Sequence, residues 1–314
     1  MADQATGCAP GKVILLGEHF VVHGVPALAS AIDRGIEVEA ALVPGEGITI
    51  HADGAETDRS TAMIATILDK LGVSMPSFPR RRESSECADM GVALRVSSHI
   101  PVGAGLGASA AFCVASTRAL AKLFDLEISD EALFRAALAA EAHAHRTPSG
   151  IDPYVSVYTG IVQYEAGPPR RAEVLSPPGP LDLVIAVTRA RRDTGVLVAG
   201  AAAFAERDAD GFRALLDSAR RVSMSGREAI ERGGHGALGR LMDENHGLLQ
   251  ALGVSTAALD ALVEAAREAG AAGAKLTGAG GGGAMIALCP GHQDAVAAAC
   301  KRAGATEVFK TKIG

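Results

Sequence analysis

The sequence predicts an α+β protein of two domains, and three observations predict it. The chain has 314 residues, more than the ~100 to 200 of a typical domain. Strand-like segments precede helical ones in the first half, and a second, differently ordered set follows a proline-rich break. In chain order, Val13 to Leu16, Ile36 to Val43 and Gly47 to His51 carry the β-branched residues of strands, and Val92, Leu94 and Val96 alternate as a half-buried strand should. After Gly107 the run ASAAFCVASTRALAKLF reads as helix. Ser129 then caps a second helix, with Asp130 and Glu131 in the first turn where carboxylates meet the positive dipole end. Ser74 to Asp89, with three consecutive arginines (Arg80 to Arg82) and no apolar period, reads as a surface insertion without a role.

Gly167 to Pro180 holds five prolines in fourteen residues, which neither a helix nor a central strand accommodates. The boundary is therefore placed there, giving domains 1–178 and 179–314. Beyond it come a strand (Asp182 to Thr188), Ala-rich helices, strands at Ala274 to Thr277 and Ala284 to Leu288, a helix (His292 to Arg302) and a last strand (Thr306 to Phe309). That order is the split βαβ, ferredoxin-like arrangement with extra helices in its first crossover. Two facing α+β domains would make a cleft, a common place for a small-molecule site.

Composition removes several classes of function. Thirty Lys and Arg against 36 Asp and Glu give a net charge of −6, the wrong sign for a general nucleic-acid binder. Aromatics at 4% and no Trp leave no stacking platform for single strands. The opening residues lack a secretory apolar run and no stretch of ~18 apolar residues follows, so a cytoplasmic protein with no membrane partner is expected. Five scattered cysteines without a C-x-x-C pair point to neither disulfides nor zinc.

The loop PVGAGLGASAA, Pro101 to Ala111, carries the first chemistry. Gly103, Gly105 and Gly107 expose consecutive N–H groups ahead of a helix start, so Pro101, Gly103, Ala104, Gly105, Leu106, Gly107 and Ala108 form a candidate phosphate cradle. Ser109 follows with a hydroxyl for a metal ion. The letters also fit G-x-G-x-x-A, yet no strand leads directly into them and no acidic residue closes a following strand; Gly7 to Lys12 fails the Walker pattern as well. KLTGAGGGG, Lys275 to Gly283, has five glycines, more than a hairpin needs. It reads as a wall over the phosphates, with Gly280 and Gly281 at the transferring group. Lys12, Glu18 and His19 bracket an apolar strand; a lysine at a strand edge is ordinarily solvated. Glu141 and His145 share a face of the helix begun at Ser129. Asp152, ahead of Pro153, is either a plain N-cap or a carboxylate able to take a proton from a hydroxyl. Together these parts point to phosphoryl transfer from ATP with Mg²⁺, with an NAD-dependent oxidoreductase and a nucleotide-binding module that has lost catalysis as the alternatives.

APGKVILLGEHFVVHGVPALASAID (Ala9 to Asp33), PVGAGLGASAA and KLTGAGGGGAMIAL (Lys275 to Leu288) resemble, in order, the three motifs of the GHMP kinases. This is the superfamily of galactose, homoserine, mevalonate and phosphomevalonate kinases. TPSGID, RRDTGVLVAG (Arg191 to Gly200) and LGVSTAALD (Leu252 to Asp260) are similar to the branch that phosphorylates mevalonate. The resemblance implies a domain like the second domain of ribosomal protein S5 packed on a ferredoxin-like one, and ATP-dependent phosphorylation of the 5-hydroxyl of (R)-mevalonate in isoprenoid precursor biosynthesis. Phosphomevalonate or a sugar is the alternative acceptor, and a homodimer the assembly allowed for. It also implies the roles: Asp152 as catalytic carboxylate, Lys12 beside it, Glu141 (eleven positions before Asp152) and Ser109 on the metal, Glu18, His19 and Thr194 in the substrate pocket, and Arg192 on the substrate carboxylate. The chain departs from the family at Ala108, where a serine is usual, and at Arg146 and Pro153.

Overall fold

The structure, a computed structural model, describes residues 3–52, 57–73, 90–101, 103–144, 149–189 and 206–314. The chain divides into two compact units that interleave along the sequence: Met1–Gly11, Arg34–Ile100 and Gly107–Tyr158 in the first, Lys12–Asp33, Pro101–Leu106 and Thr159–Gly314 in the second. Strands β1 (Gln4–Leu16) and β2 (Ala27–Pro44) each run through both.

In the first unit the later part of β2, Ile36 to Pro44, pairs antiparallel with β4 (Met90–Ser98), and β3 (Ile48–Ala52) joins β4 in parallel. Val92 and Leu94 are buried while Arg95 is exposed, the expected alternation. Helices α1 (Thr57–Lys70), α2 (Ala108–Leu123), α3 (Asp130–Glu141) and α4 (Ile151–Tyr158) complete it. Helix α2 is buried on nearly every side because its residues are mostly small and apolar. That smallness lets β1 come close. A Cβ on Gly7 would stand 2.2 Å from the carbonyl oxygen of Ala115. Arg118 and Lys122 of α2 reach back to the carbonyls of Cys8 (2.7 Å) and Thr6 (2.9 Å). The Ser129 hydroxyl caps α3 by accepting from Ala132 N at 3.2 Å, as its sequence predicts.

In the second unit residues 27–30 of β2 pair antiparallel with β5 (Ile161–Glu165), which pairs with β6 (Arg171–Leu175). A separate four-stranded antiparallel sheet has the order β10 (Glu307–Ile313), β7 (Leu181–Val187), β9 (Ala284–Leu288), β8 (Gly273–Leu276). Helices α5 (Ala209–Glu231), α6 (His235–Ala251) and α7 (Ala257–Glu268) lie between β7 and β8, and α8 (Gln293–Arg302) between β9 and β10. This is the ferredoxin-like order with an enlarged first crossover. Its core gathers Val184, Met285, Leu249, Leu259 and Val263 with Phe20 and Val25.

Three expectations need correction. The Gly167 to Pro180 stretch is no bare linker: β6 occupies its middle, and prolines flank it because an outer strand tolerates a missing ladder donor. The last strand runs on to Ile313, since Phe309, Thr311 and Ile313 turn inward while Lys310 and Lys312 stay outside. Helix α3 ends at Glu141 rather than continuing to residue 145. The Ser74 to Asp89 insertion lies outside the described residues. Among the described residues no helix is long and apolar enough to cross a membrane.

Candidate active site

In the second unit, Lys12 sits on β1 with its backbone N–H donating to Leu106 O at 2.8 Å and its ammonium to Gly105 O at 3.2 Å. The expected solvated lysine is in fact only 3% exposed, and a buried ammonium must be compensated by polar partners. The glycine loop hangs on two buried side chains, Ala104 and Leu106, and Ala104 O accepts from Ala284 N at 3.0 Å. Gly103 and Gly105, at φ +71° and +79°, take the left-handed conformation that side chains avoid. A Cβ on Gly103 would meet nothing within 4 Å, so the space before it is open.

The third glycine run, residues 278–283, is more constrained than a hairpin requires, with all five glycines at positive φ. Gly281 N donates to Val254 O at 2.8 Å, Thr188 N to Gly283 O at 2.7 Å, and Ile14 N to the Thr277 hydroxyl at 2.9 Å. Gly280 lies against the Val254 carbonyl so closely that a Cβ would stand 2.1 Å from it.

Glu18 and His19 form an elbow at the end of β1. Glu18 is 1% exposed; one oxygen accepts from the Lys275 ammonium, the other from Asn245 Nδ2 at 3.1 Å. Both oxygens of Glu18 are thus engaged by side chains of the protein, and the expected contact with substrate would fall to the acceptor sites they leave. His19, at φ +62°, has Nε2 2.9 Å from Ala279 O, and burial lowers its pKa below the usual imidazole range.

Next to Asn245, His246 is a second buried polar group. Its Nδ1 accepts from Leu276 N at 3.3 Å, while Nε2 faces Asp260 Oδ1 at 3.1 Å. The first bond requires a bare Nδ1, so the ring is neutral; burial and the Lys275 charge hold its pKa down at about 4, against the Asp260 carboxylate. In the unfolded chain the ring titrates near 6.5. Between those values the unfolded state binds the extra proton, so the contribution is complete above pH 6.5 and is lost as pH falls toward 4. Unfolding by urea at pH 7 and pH 4.5 should show a loss of about 2 kcal/mol from this ring, less than the full shift because pH 4.5 still lies above the folded value. His246→Gln should flatten that part of the pH profile.

In the first unit, Ser109, Glu141 and Asp152 fall on three helices. Ser109 Oγ is buried and finds no hydrogen-bond partner among the described residues. Cys113, one turn further along α2, has its thiol pKa raised by burial and by the Glu141 carboxylate. Glu141 is 3% exposed at the C-terminal end of α3, where the dipole disfavours an anion. An orphaned hydroxyl and a buried carboxylate at the wrong helix end are hard oxygen donors that fit a divalent cation such as Mg²⁺. Asp152 is the second residue of α4, not its N-cap; Gly150 at φ +85° turns the chain into the helix instead. The α4 helix is fixed by Ser156 Oγ donating to Pro10 O at 2.9 Å. His145, Arg146, Arg192 and Thr194 lie outside the described residues. Lys275, Asn245 and His246 were not anticipated as site residues.

Comparison with known proteins agrees with this architecture. The model of the GHMP kinases N terminal domain matches residues 64–160 and that of the GHMP kinases C terminal matches residues 227–306. The chain belongs to the GHMP kinases and has their two-domain α+β fold. It is 40% identical to a mevalonate kinase of Pyrococcus abyssi over 96% of this chain and 93% of that one. It is 37% identical to a mevalonate kinase of Thermococcus sibiricus, covering 97% and 95%. The solved structure of L. major mevalonate kinase in complex with R-mevalonate superposes with a TM-score of 0.86 at 28% identity, covering 100% of this chain and 96% of that one. Kinase membership sets aside the oxidoreductase alternative.

Proposed function

We propose that this chain transfers the γ-phosphoryl group of ATP to the 5-hydroxyl of (R)-mevalonate, giving 5-phosphomevalonate and ADP for isoprenoid precursor synthesis in the cytoplasm. The observation that carries this reading is likeness over almost the whole chain to mevalonate kinases, one of them solved with R-mevalonate. In this reading the loop from Pro101 to Ser109 holds the nucleotide phosphates through backbone N–H groups. Asp152 accepts the hydroxyl proton as the oxygen attacks phosphorus, and the Lys12 ammonium neutralises charge on the reacting oxygens. His19 belongs to the mevalonate pocket, with Thr194 and Arg192 assigned there by resemblance. Mg²⁺ would be held by Ser109 and Glu141 and would supply neutralisation of the charge that develops on the transferring phosphates. Gly280 and Gly281 form the backbone wall of the pocket.

ADP release is expected with mevalonate and not with phosphomevalonate, homoserine or galactose, and phosphorus NMR should show a phosphomonoester on the primary oxygen. Faster turnover of another acceptor would overturn the substrate assignment. Nucleotide binding without single-turnover transfer would reduce the chain to a binding module.

A further inference from the structure

The buried polar cluster behind the elbow at residues 17–19, built from Glu18, Asn245 and Lys275, is absent from the proposed chemistry. Lys275 is 0% exposed. Its ammonium donates to Glu18 Oε1, to Ile14 O at 3.3 Å and to Leu276 O at 2.6 Å. Those three bonds use all three of its protons. Lys275 therefore opens a phosphate-side glycine motif without a donor to give a phosphate. Asn245 grips the elbow twice, its Oδ1 accepting from Gly17 N at 3.1 Å and its Nδ2 donating to Glu18 Oε2 at 3.1 Å.

What these groups hold is strained. His19 has φ +62° and ψ −40°, a region that residues other than glycine avoid, and such an outlier persists only where its surroundings over-determine it. On one side the fastened residues are Gly17 and Glu18. On the other, the His19 ring is 2.9 Å from Ala279 O. A carbonyl can only accept, so Nε2 carries the proton and Nδ1 is left as the acceptor. The charged and titratable groups acting on the ring are Glu18 from the elbow, His23 from the 3₁₀ turn Phe20–His23, and Lys275 from β8. Burial, Lys275 and His23 oppose protonation of the ring, whereas Glu18 and the Ala279 bond favour it.

We propose that Glu18, Lys275 and Asn245 are positioning residues, a clamp that fixes His19 in one orientation and one tautomer so that Nδ1 faces the acceptor alcohol as a hydrogen-bond acceptor. The proposal rests on the phosphotransferase reading of the site. A buried ion pair is poor evidence for stability, because an apolar pair of similar volume commonly serves as well; here the pair instead specifies a geometry. The clamp also divides labour along the motif GEH: the carboxylate holds, and the imidazole is presented.

The test uses full-length protein labelled with ¹⁵N-histidine, the His19 signals being assigned by their loss in His19→Gln. In the wild-type protein without substrate, His19 should show a single Nε2–H tautomer at pH 7, persisting below pH 6.5. Lys275→Met alone strands a buried carboxylate, so the informative variant is Lys275→Met with Glu18→Gln, a neutral pair. It should fold, show averaged tautomers in place of the single Nε2–H form, and lose about 10- to 100-fold in kcat with KM for ATP unchanged. If that pair does not fold, Asn245→Ser, which releases Gly17 and Glu18 by another route, should give the same signature. A folded variant that keeps either the single tautomer or the wild-type kcat overturns the clamp. The tautomer is read without substrate, so wild-type protein inactive on mevalonate would overturn the substrate assignment and leave this result standing.

Discussion

Asp152→Asn lowers kcat by about 10³-fold, within the range expected when a positioned base is removed, while the melting temperature moves by only a few degrees. The amide has nearly the shape of the carboxylate and cannot take the proton that the attacking hydroxyl must lose. Structure is spared because Asp152 is only the second residue of α4, whose start is made by the Gly150 turn and whose seating is made by Ser156 and Pro10. A first-turn carboxylate contributes only about 0.3–1 kcal/mol through the helix dipole. Steady-state ADP release and a thermal melt on the same preparation check both halves. Unchanged kcat would remove Asp152 from its proposed role, and a collapsed melt would make the loss uninformative, in which case Asp152→Glu separates the two.

Gly280→Ala produces a large loss of stability for one added methyl group. Two costs coincide. Gly280 has φ +75°, where an alanine pays about 1–2 kcal/mol, and its Cβ would lie 2.1 Å from the Val254 carbonyl oxygen. Backbone on both sides leaves no flexible side chain to move, and overpacking of this kind costs about 1–3 kcal/mol. A total near 3 kcal/mol corresponds to a fall of roughly 6–12 °C in Tm. Gly103→Ala is the matched control. It has a similar φ of +71° but nothing within 4 Å of the new Cβ, so only the conformational cost of about 1–2 kcal/mol remains. Equal melts for the two variants would show that the Val254 contact does not constrain the loop.

The features legible in the sequence are those whose cause is local. Alternating glycines before an alanine-rich helix state a backbone requirement on their own, and the left-handed φ values at 103, 105 and 107 bear it out. Ser129 with two acidic residues behind it states a helix start. Two strands of the second sheet, LDLVIAV and AMIAL, announce themselves as apolar runs that follow glycine, and this made the ferredoxin-like order readable. Lys275 shows what could not. Its strand, GAKL, is buried at every position, and the carboxylate that makes this tolerable lies 257 positions earlier. Asn245 and His246 are adjacent polar residues on a helix, an arrangement that ordinarily marks a solvated face. The available signal was reciprocal: a lone lysine and a lone glutamate, each embedded in an apolar segment, need one another. Lys12 was misjudged for the same reason, since its burial depends on a loop 93 positions away.

The interleaving of the two units bears on how the protein is made. Residues 12–33 leave the ribosome early, yet the groups they must join are synthesised near the end: Ile14 bonds Thr277, and Glu18 bonds Lys275. Throughout translation the first strands of the second unit wait with their apolar faces unmatched. A nascent chain stalled before residue 275 cannot close the elbow, and a gene cut at the proline-rich stretch leaves the first unit whole on the N-terminal fragment while dividing the second between the two.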